Sequence, residues 1–256
     1  MDDDRLAPED SDVSVPQFLV APEALAGADV VLRGTELHHL RVRRLRVGSS
    51  VLLSDGCGQQ RAGVIVALDR HEAVIRIASE HVPTRESALH LVLAQALLKG
   101  DKMDWLVEKV TELGVNEIVT FTCARSLRSA SGERHARWQR IAAAAAKQSQ
   151  RGSVPIVTGP LRYEHLLARH ASVRLVFWEE ARDCSVKQVH AAHPVADSVL
   201  ALIGPAGGLS AAEAERAGAE GAALVTLGPR LLRAETAGLV ATTLVQFLWG
   251  DFCRAE

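Results

Sequence analysis

Cysteine, aromatic residues, long apolar runs and an excess of one charge are all in short supply in this chain, and each shortage excludes something. The four cysteines (Cys57, Cys123, Cys184 and Cys253) lie far apart, with no CxxC and no spacing suited to a zinc cage. They read as reduced thiols, and no metal site is expected. Aromatics make up 4% of the residues, with a single Tyr, five Phe and four Trp, too few for a platform that stacks the bases of a single strand. No apolar run approaches the ~20 residues of a membrane-spanning helix. The longest, Leu89 to Leu98, is interrupted by His90 and Gln95, so no membrane association is expected. The amino terminus, Met1-Asp2-Asp3-Asp4, is the opposite of a secretory signal's basic start, which makes the cytoplasm the expected location. GxGxxG and GK[ST] are also missing; the first lack counts against a nicotinamide oxidoreductase and the second excludes a P-loop.

What is there is a 256-residue chain, 48% hydrophobic and 23% charged, the composition of one large or two small globular domains. Net charge is −2, yet the basic residues comprise 24 Arg and only five Lys. A guanidinium presents a planar fork suited to phosphates, whereas an ammonium is closer to a point charge. The charge is also unevenly placed. Residues 2–12 hold six acids and one Arg, within an expected disordered tail over 1–14. Arg33 to Arg61 carries six Arg (33, 41, 43, 44, 46 and 61) against Glu36 and Asp55. Arg125 to Arg151 carries six Arg and Lys147 against Glu133. Two basic stretches on a near-neutral chain form an electrostatic footprint for a polyanion held by its backbone, although two solvated faces would give the same pattern.

The chain changes character near residue 83. Before it, short strands are expected at Asp29 to Leu32, Gly48 to Ser54, Gln60 to Ala67 and Ala73 to Ala78. A hairpin turn is expected at Asp55-Gly56, and a helical turn capped by Thr35. Several short strands in so few residues suggest a small barrel. His38-His39 reads as RNA-facing or structural rather than as a metal pair, because adjacent residues on a helix face different directions. After Pro83, strands are expected at Leu89 to Ala94, Asn116 to Thr122, Ser172 to Trp178, Val199 to Ile203 and Ala222 to Leu227. They alternate with helices at Asp101 to Leu113, Glu133 to Gln150, Ser210 to Ala217 and Thr236 to Trp249. Such alternation implies an α/β domain with a mainly parallel sheet covered on both faces, whose ligand lies beyond the carboxyl ends of the strands.

Two of those ends are unusual. Leu202-Ile203-Gly204-Pro205-Ala206-Gly207-Gly208-Leu209-Ser210 runs from a buried strand through a glycine turn into a capped helix. Leu227-Gly228-Pro229-Arg230-Leu231-Leu232-Arg233-Ala234-Glu235-Thr236 ends another strand in Gly-Pro and opens a helix. Glu235 and Thr236 could simply cap that helix. Arg230 and Arg233 are not explained that way, since a cation at the positive end of a helix is unfavourable unless an anion arrives. Two Gly-Pro loops in one sheet, one flanked by arginines, suggest an adenosine-type ligand beside a phosphate-bearing substrate.

These two segments, together with Leu98-Lys99-Gly100-Asp101-Lys102-Met103-Asp104, Lys109-Val110-Thr111-Glu112-Leu113-Gly114-Val115, Arg137-Trp138-x-Arg140-Ile141-Ala142 and Lys147-Gln148-Ser149-x-Arg151, occur in the order of one family's motifs. Over nearly its whole length the chain resembles the 16S ribosomal RNA uridine-N3 methyltransferases (ribosomal small subunit methyltransferase E) of the SPOUT superfamily. The resemblance implies a PUA-like RNA-binding β-barrel over 1–83 and, over 84–256, a SPOUT methyltransferase domain whose chain forms a deep trefoil knot. It also implies a homodimer that binds S-adenosyl-L-methionine and methylates N3 of a uridine in helix 44 of the small ribosomal subunit's RNA. The cofactor would be cradled by Leu202, Ile203, Gly204, Pro205, Gly207, Gly208, Leu227, Gly228, Leu231, Leu232 and Arg233. Arg233 and Glu235 are the implied catalytic pair, Arg233 stabilising charge on the uracil and Glu235 taking the N3 proton. RNA contacts are expected from Arg33, Arg41, Arg43, Arg44, Arg46, Arg125, Arg137, Arg140 and Arg151. No covalent cysteine is needed, since attack at nitrogen requires no carbon activation, and the base must be unpaired or flipped to expose N3.

This chain departs from the family pattern at three places. Ala206 replaces the Glu of Gly-Pro-Glu-Gly-Gly, Lys147 replaces a Glu of the central helix, and Ala234 replaces the first Thr of Arg-Thr-Glu-Thr. The alternatives are a knotted enzyme acting on a ribose 2′-hydroxyl and an RNA-binding assembly factor without catalysis; Ala206 favours the second.

Overall fold

In the computed structural model, residues 15–78, 82–126, 132–182 and 184–253 are described; the expected tail over 1–14 lies outside them. The chain divides into two units, one reaching Asp55 and resuming over Gln59–Pro83, the other made of Gly56–Gly58 and the residues from Thr84 onward.

In the first unit the period-two alternation of Val74-Ile75-Arg76-Ile77 and its neighbours produces a five-stranded sheet. Its strands are β1 (Gln17–Leu19), β2 (Asp29–Leu32), β3 (Ser50–Ser54), β4 (Gln60–Leu68) and β5 (Ala73–Ile77), in the order β1-β3-β4-β5-β2. All pairs are antiparallel except β1 with β3. Val30, Leu32, Val51, Leu53, Ile65 and Ile75 point inward and meet Leu37 and Leu40 of helix α1 (Gly34–Val42) in one core. Thr35 is not the cap of α1. The helix begins two residues earlier than that cap would give, at Gly34, with Arg33 at the cap position and no side-chain cap. Strand β1 escaped the sequence reading because three residues are too few to show a period.

The second unit holds six strands: β6 (His90–Ala96), β7 (Glu117–Thr122), β8 (Ile156–Arg162), β9 (Val173–Phe177), β10 (Ser198–Ile203) and β11 (Ala223–Val225). All pair in parallel, in the order β11-β9-β10-β6-β7-β8. The middle of a parallel sheet is buried on both faces, and its central strands β6 and β10 are accordingly largely apolar. Leu91, Leu93, Val199, Ala201 and Ile203 face one core, whereas Val92, Ala94, Ala96, Leu200 and Leu202 face the other. The first core is closed by α2 (Lys102–Glu112), α3 (Gly132–Gln148), α5 (Val186–Ala192) and α7 (Ala234–Leu248). The second is closed by α4 (Tyr163–Leu167) and α6 (Ala211–Ala219). Each fully buried Leu or Val contributes about 1.5–3 kcal/mol. No helix among the described residues is long and apolar enough to cross a membrane.

From β6 the chain steps outward to β7 and β8, crosses to β9, and returns to place β10 beside β6. The direction of travel therefore reverses between β6 and β10, and a sheet of this kind binds ligands beyond the carboxyl ends at such a reversal.

Candidate functional site

The loops that leave β10 and β11 both emerge at the carboxyl edge, and β9 runs between their strands. They are thus two strand spacings apart, roughly 10 Å, a span one small molecule can bridge. The connection after β9 is tied to the outer one. Trp178 N–H donates to the Val225 carbonyl at 3.0 Å, and Thr226 N–H donates to the Cys184 carbonyl at 3.3 Å.

The loop after β10 folds on itself. A Cβ at Gly204 would lie 3.2 Å from the Leu209 nitrogen, so the loop closes tightly over this glycine. Gly208 has φ +70° and lies against the Glu179 carboxylate, in the space a side chain at 208 would need. Leu202 and Ile203 send their side chains into the two cores, which leaves only their backbones to a ligand. The loop ends in the capping box of α6: the Ser210 hydroxyl accepts from Glu213 N–H at 3.3 Å, and the Glu213 carboxylate accepts from Ser210 N–H at 2.9 Å. The other Glu213 oxygen accepts from Ala124 N–H at 2.8 Å. Burial alone would raise the Glu213 pKa, but these donors hold it below the ordinary carboxylate value. Arg125 braces the same loop, donating to the Gly207 carbonyl at 3.0 Å and the Leu209 carbonyl at 3.5 Å.

The loop after β11 is more open. Gly228 has φ +99° and no atom within 4 Å of where a Cβ would stand, so a ligand can approach the backbone there. Leu231 is 84% exposed and Leu232 36%, two apolar side chains left in solvent beside that opening. Arg233 occupies the cap position of α7 without capping it, and neither it nor Arg230 has a side-chain partner among the described residues. Glu235, in the first turn, is paired with Lys102 at 2.7 Å. Burial pushes its pKa up, but the Lys102 hydrogen bond, its own amide, and the charges of Lys102 and Arg233 outweigh burial and leave it below the ordinary value. Burial raises the pKa of Cys123, one residue before the Ala124 amide that holds Glu213, which disfavours a thiolate nucleophile there.

The expected RNA contacts separate into two groups. Arg33, Arg41, Arg43, Arg44 and Arg46 are all exposed. Arg33 pairs with Glu72, Arg41 donates to the Asp69 carbonyl at 2.7 Å, and Arg43 reaches His39 at 3.3 Å. Pairs this exposed are worth little and leave the arginines available. Arg140 is exposed, donating to the Ala136 carbonyl of its own helix, and Arg137 clasps Asp104 at 2.7 Å. Arg151 is different and corrects the sequence reading: it is 3% exposed. Its guanidinium pairs with Glu86 at 2.7 Å and donates to the Thr111 and Val115 carbonyls at 2.9 and 2.8 Å. It holds the carboxyl end of α2 and presents nothing to RNA. Glu179, Lys102 and the loop-bracing role of Arg125 were missed. Glu179 directly follows an expected strand, so the strand-end rule that drew attention to the two Gly-Pro loops would have drawn it to this third one.

Comparison with known proteins agrees with this geometry. Residues 85–246 match the model of an RNA methyltransferase domain, and residues 32–78 that of an RNA methyltransferase PUA domain. Ribosomal RNA small subunit methyltransferase E of Bacillus subtilis is 30% identical over 84% of this chain and 89% of its own length. The Mycobacterium tuberculosis protein of the same name is 32% identical over 87% of each chain. A crystal structure of ribosomal RNA small subunit methyltransferase E from Neisseria gonorrhoeae, bound to S-adenosylmethionine, superposes with a TM-score of 0.84 at 34% identity, covering 93% of this chain and 100% of that one.

Proposed function

The chain belongs to the ribosomal RNA small subunit methyltransferase E family, and from that membership we propose that it transfers a methyl group from S-adenosylmethionine to N3 of a uridine in helix 44 of 16S ribosomal RNA. The observation that carries this reading is the convergence, around the carboxyl end of β9, of two Gly-Pro loops, with two unpartnered arginines at the outer one. The residues fit the cofactor. Gly228 opens a backbone to a nucleoside, exposed Leu231 and Leu232 offer apolar surface to a purine, and the Trp178 indole N–H is buried without a partner at the same strand end. The backbones of Leu202 to Pro205, Gly207, Gly208, Leu227 and Gly228 complete the cradle, held in this reading by the deep trefoil knot. When bound, the cofactor supplies a methyl group on a positively charged sulfur.

The protein's own work is then to grip RNA, expose N3 and remove its proton. Arg44 and Arg46, which have no side-chain partner among the described residues, join Arg33, Arg41 and Arg43 as phosphate contacts on the amino-terminal unit. Arg125, Arg137 and Arg140 are the expected phosphate contacts of the other unit. Arg233 stabilises the negative charge that develops on the uracil carbonyls as N3 loses its proton. Glu235 receives that proton. Its pairing with Lys102 keeps it ionised but weakly basic, so the transfer requires Lys102 to move off it as the base enters. The protein acts in this reading as a cytoplasmic homodimer, in which a second copy covers Trp105 of α2 and Phe247 of α7, 43% and 54% exposed on helices that pack together.

Incubation with small subunits from a strain lacking the modification and with methyl-labelled S-adenosylmethionine tests the reading. Label is expected in 16S RNA. Cofactor binding without any transfer to subunits or naked RNA would favour the non-catalytic alternative that Ala206 suggests.

A further inference from the structure

Resting on the cofactor reading above, we propose that Glu179 supplies the anionic contact for the α-ammonium group of S-adenosylmethionine's amino-acid arm. Glu179 lies two residues past the end of β9, between the strands that feed the two Gly-Pro loops. Its carboxylate rests on Gly208, and the positive φ and missing side chain of that glycine are what permit so close an approach. The approach is not a salt bridge within the protein. Among the described residues the Glu179 carboxylate has no cation and no hydrogen-bond donor. Arg182, three residues on, donates instead to the main-chain carbonyls of Glu179 and Ala181 at 2.8 and 3.2 Å, which fixes the turn and leaves the carboxylate unneutralised.

The acids that follow the two Gly-Pro loops are already committed. Glu213 accepts from Ser210 and Ala124 backbone amides, and Glu235 is held by Lys102. Position 206, in the middle of the loop itself, is Ala and offers no charge. The cofactor brings a fixed ammonium group, and an ammonium held between a carboxylate and main-chain carbonyls makes charge-assisted hydrogen bonds, the stronger kind. Among the described residues of these loops, Glu179 is a carboxylate that touches a loop glycine and lacks a counter-charge.

The test compares two ligands on the full chain by titration calorimetry. S-adenosylhomocysteine carries the amino-acid arm; 5′-methylthioadenosine keeps the nucleoside and the sulfur but lacks the arm. Glu179→Gln preserves the size and packing of an exposed side chain. It is expected to weaken S-adenosylhomocysteine roughly tenfold, about 1.4 kcal/mol, and to leave 5′-methylthioadenosine unchanged. Unchanged affinity for S-adenosylhomocysteine would overturn the inference while leaving the cofactor reading intact. An equal loss for both ligands would also overturn it, because Glu179 would then only shape the loop. A wild-type chain that binds neither ligand would overturn the cofactor reading itself.

Discussion

Replacing Arg151 by Met separates a structural arginine from an RNA-binding one. The Arg151 side chain is 3% exposed and its partner Glu86 15%. The substitution keeps most of the aliphatic stem but removes the ion pair and both donors to the Thr111 and Val115 carbonyls. Glu86 is left as a largely buried charge whose remaining donor is the Ser153 amide at 3.0 Å. The carboxyl end of α2 also loses the cation that complements its dipole. Breaking a buried pair by removing one partner costs about 3–5 kcal/mol. In a chain of this size each kcal/mol moves the melting temperature by about 2–4 °C, so a fall of roughly 6–20 °C is expected. Thermal unfolding followed by near-ultraviolet circular dichroism measures it, and Glu86→Gln should give a loss of the same order through the same pair. RNA affinity, read by filter binding at a temperature where the variant is folded, is expected to be unchanged. A variant that melts within 2 °C of the wild type yet binds RNA more weakly would refute this assignment and return Arg151 to the RNA face.

Arg233→Ala should abolish methyl transfer; full retained activity would remove Arg233 from the chemistry. Lys102→Met removes the hydrogen bond and the charge that lower the Glu235 pKa, so that pKa rises. Because the ionised carboxylate is the active form and is lost as pH falls through its pKa, the acid limb of kcat/KM should move to higher pH. A limb that stays in place would mean that another group accepts the proton. Gly204→Val should leave the far-ultraviolet spectrum intact and eliminate cofactor binding, because its side chain would strike the Leu209 backbone and open the loop. Normal affinity in the folded variant would place the cofactor elsewhere.

Much of this architecture is legible in the sequence, and the gaps have physical causes. The strands at Leu89 and Val199 announced themselves because burial on both faces leaves largely apolar runs, and Ser210 announced α6 because a capping box is local chemistry. Strand β8 did not, since Ile156-Val157-Thr158-Gly159-Pro160 reads as a loop until β7 supplies its hydrogen bonds. The Gly-Pro loops were visible as glycine and proline at strand ends. What periodicity and spacing cannot show is pairing over long sequence separations. Lys102 with Glu235, Arg125 with Gly207, and Arg151 with Glu86 are set only once the sheet brings them together. The same limit made Arg151 look like one member of a basic face when it is the buried brace of α2.

The most direct measurement is nucleoside mass spectrometry of 16S RNA from unmodified small subunits after incubation with this protein and S-adenosylmethionine. 3-Methyluridine in the helix 44 fragment is the predicted product. A 2′-O-methylated nucleoside in its place, with no 3-methyluridine, would contradict the assignment of N3 as the attacking atom.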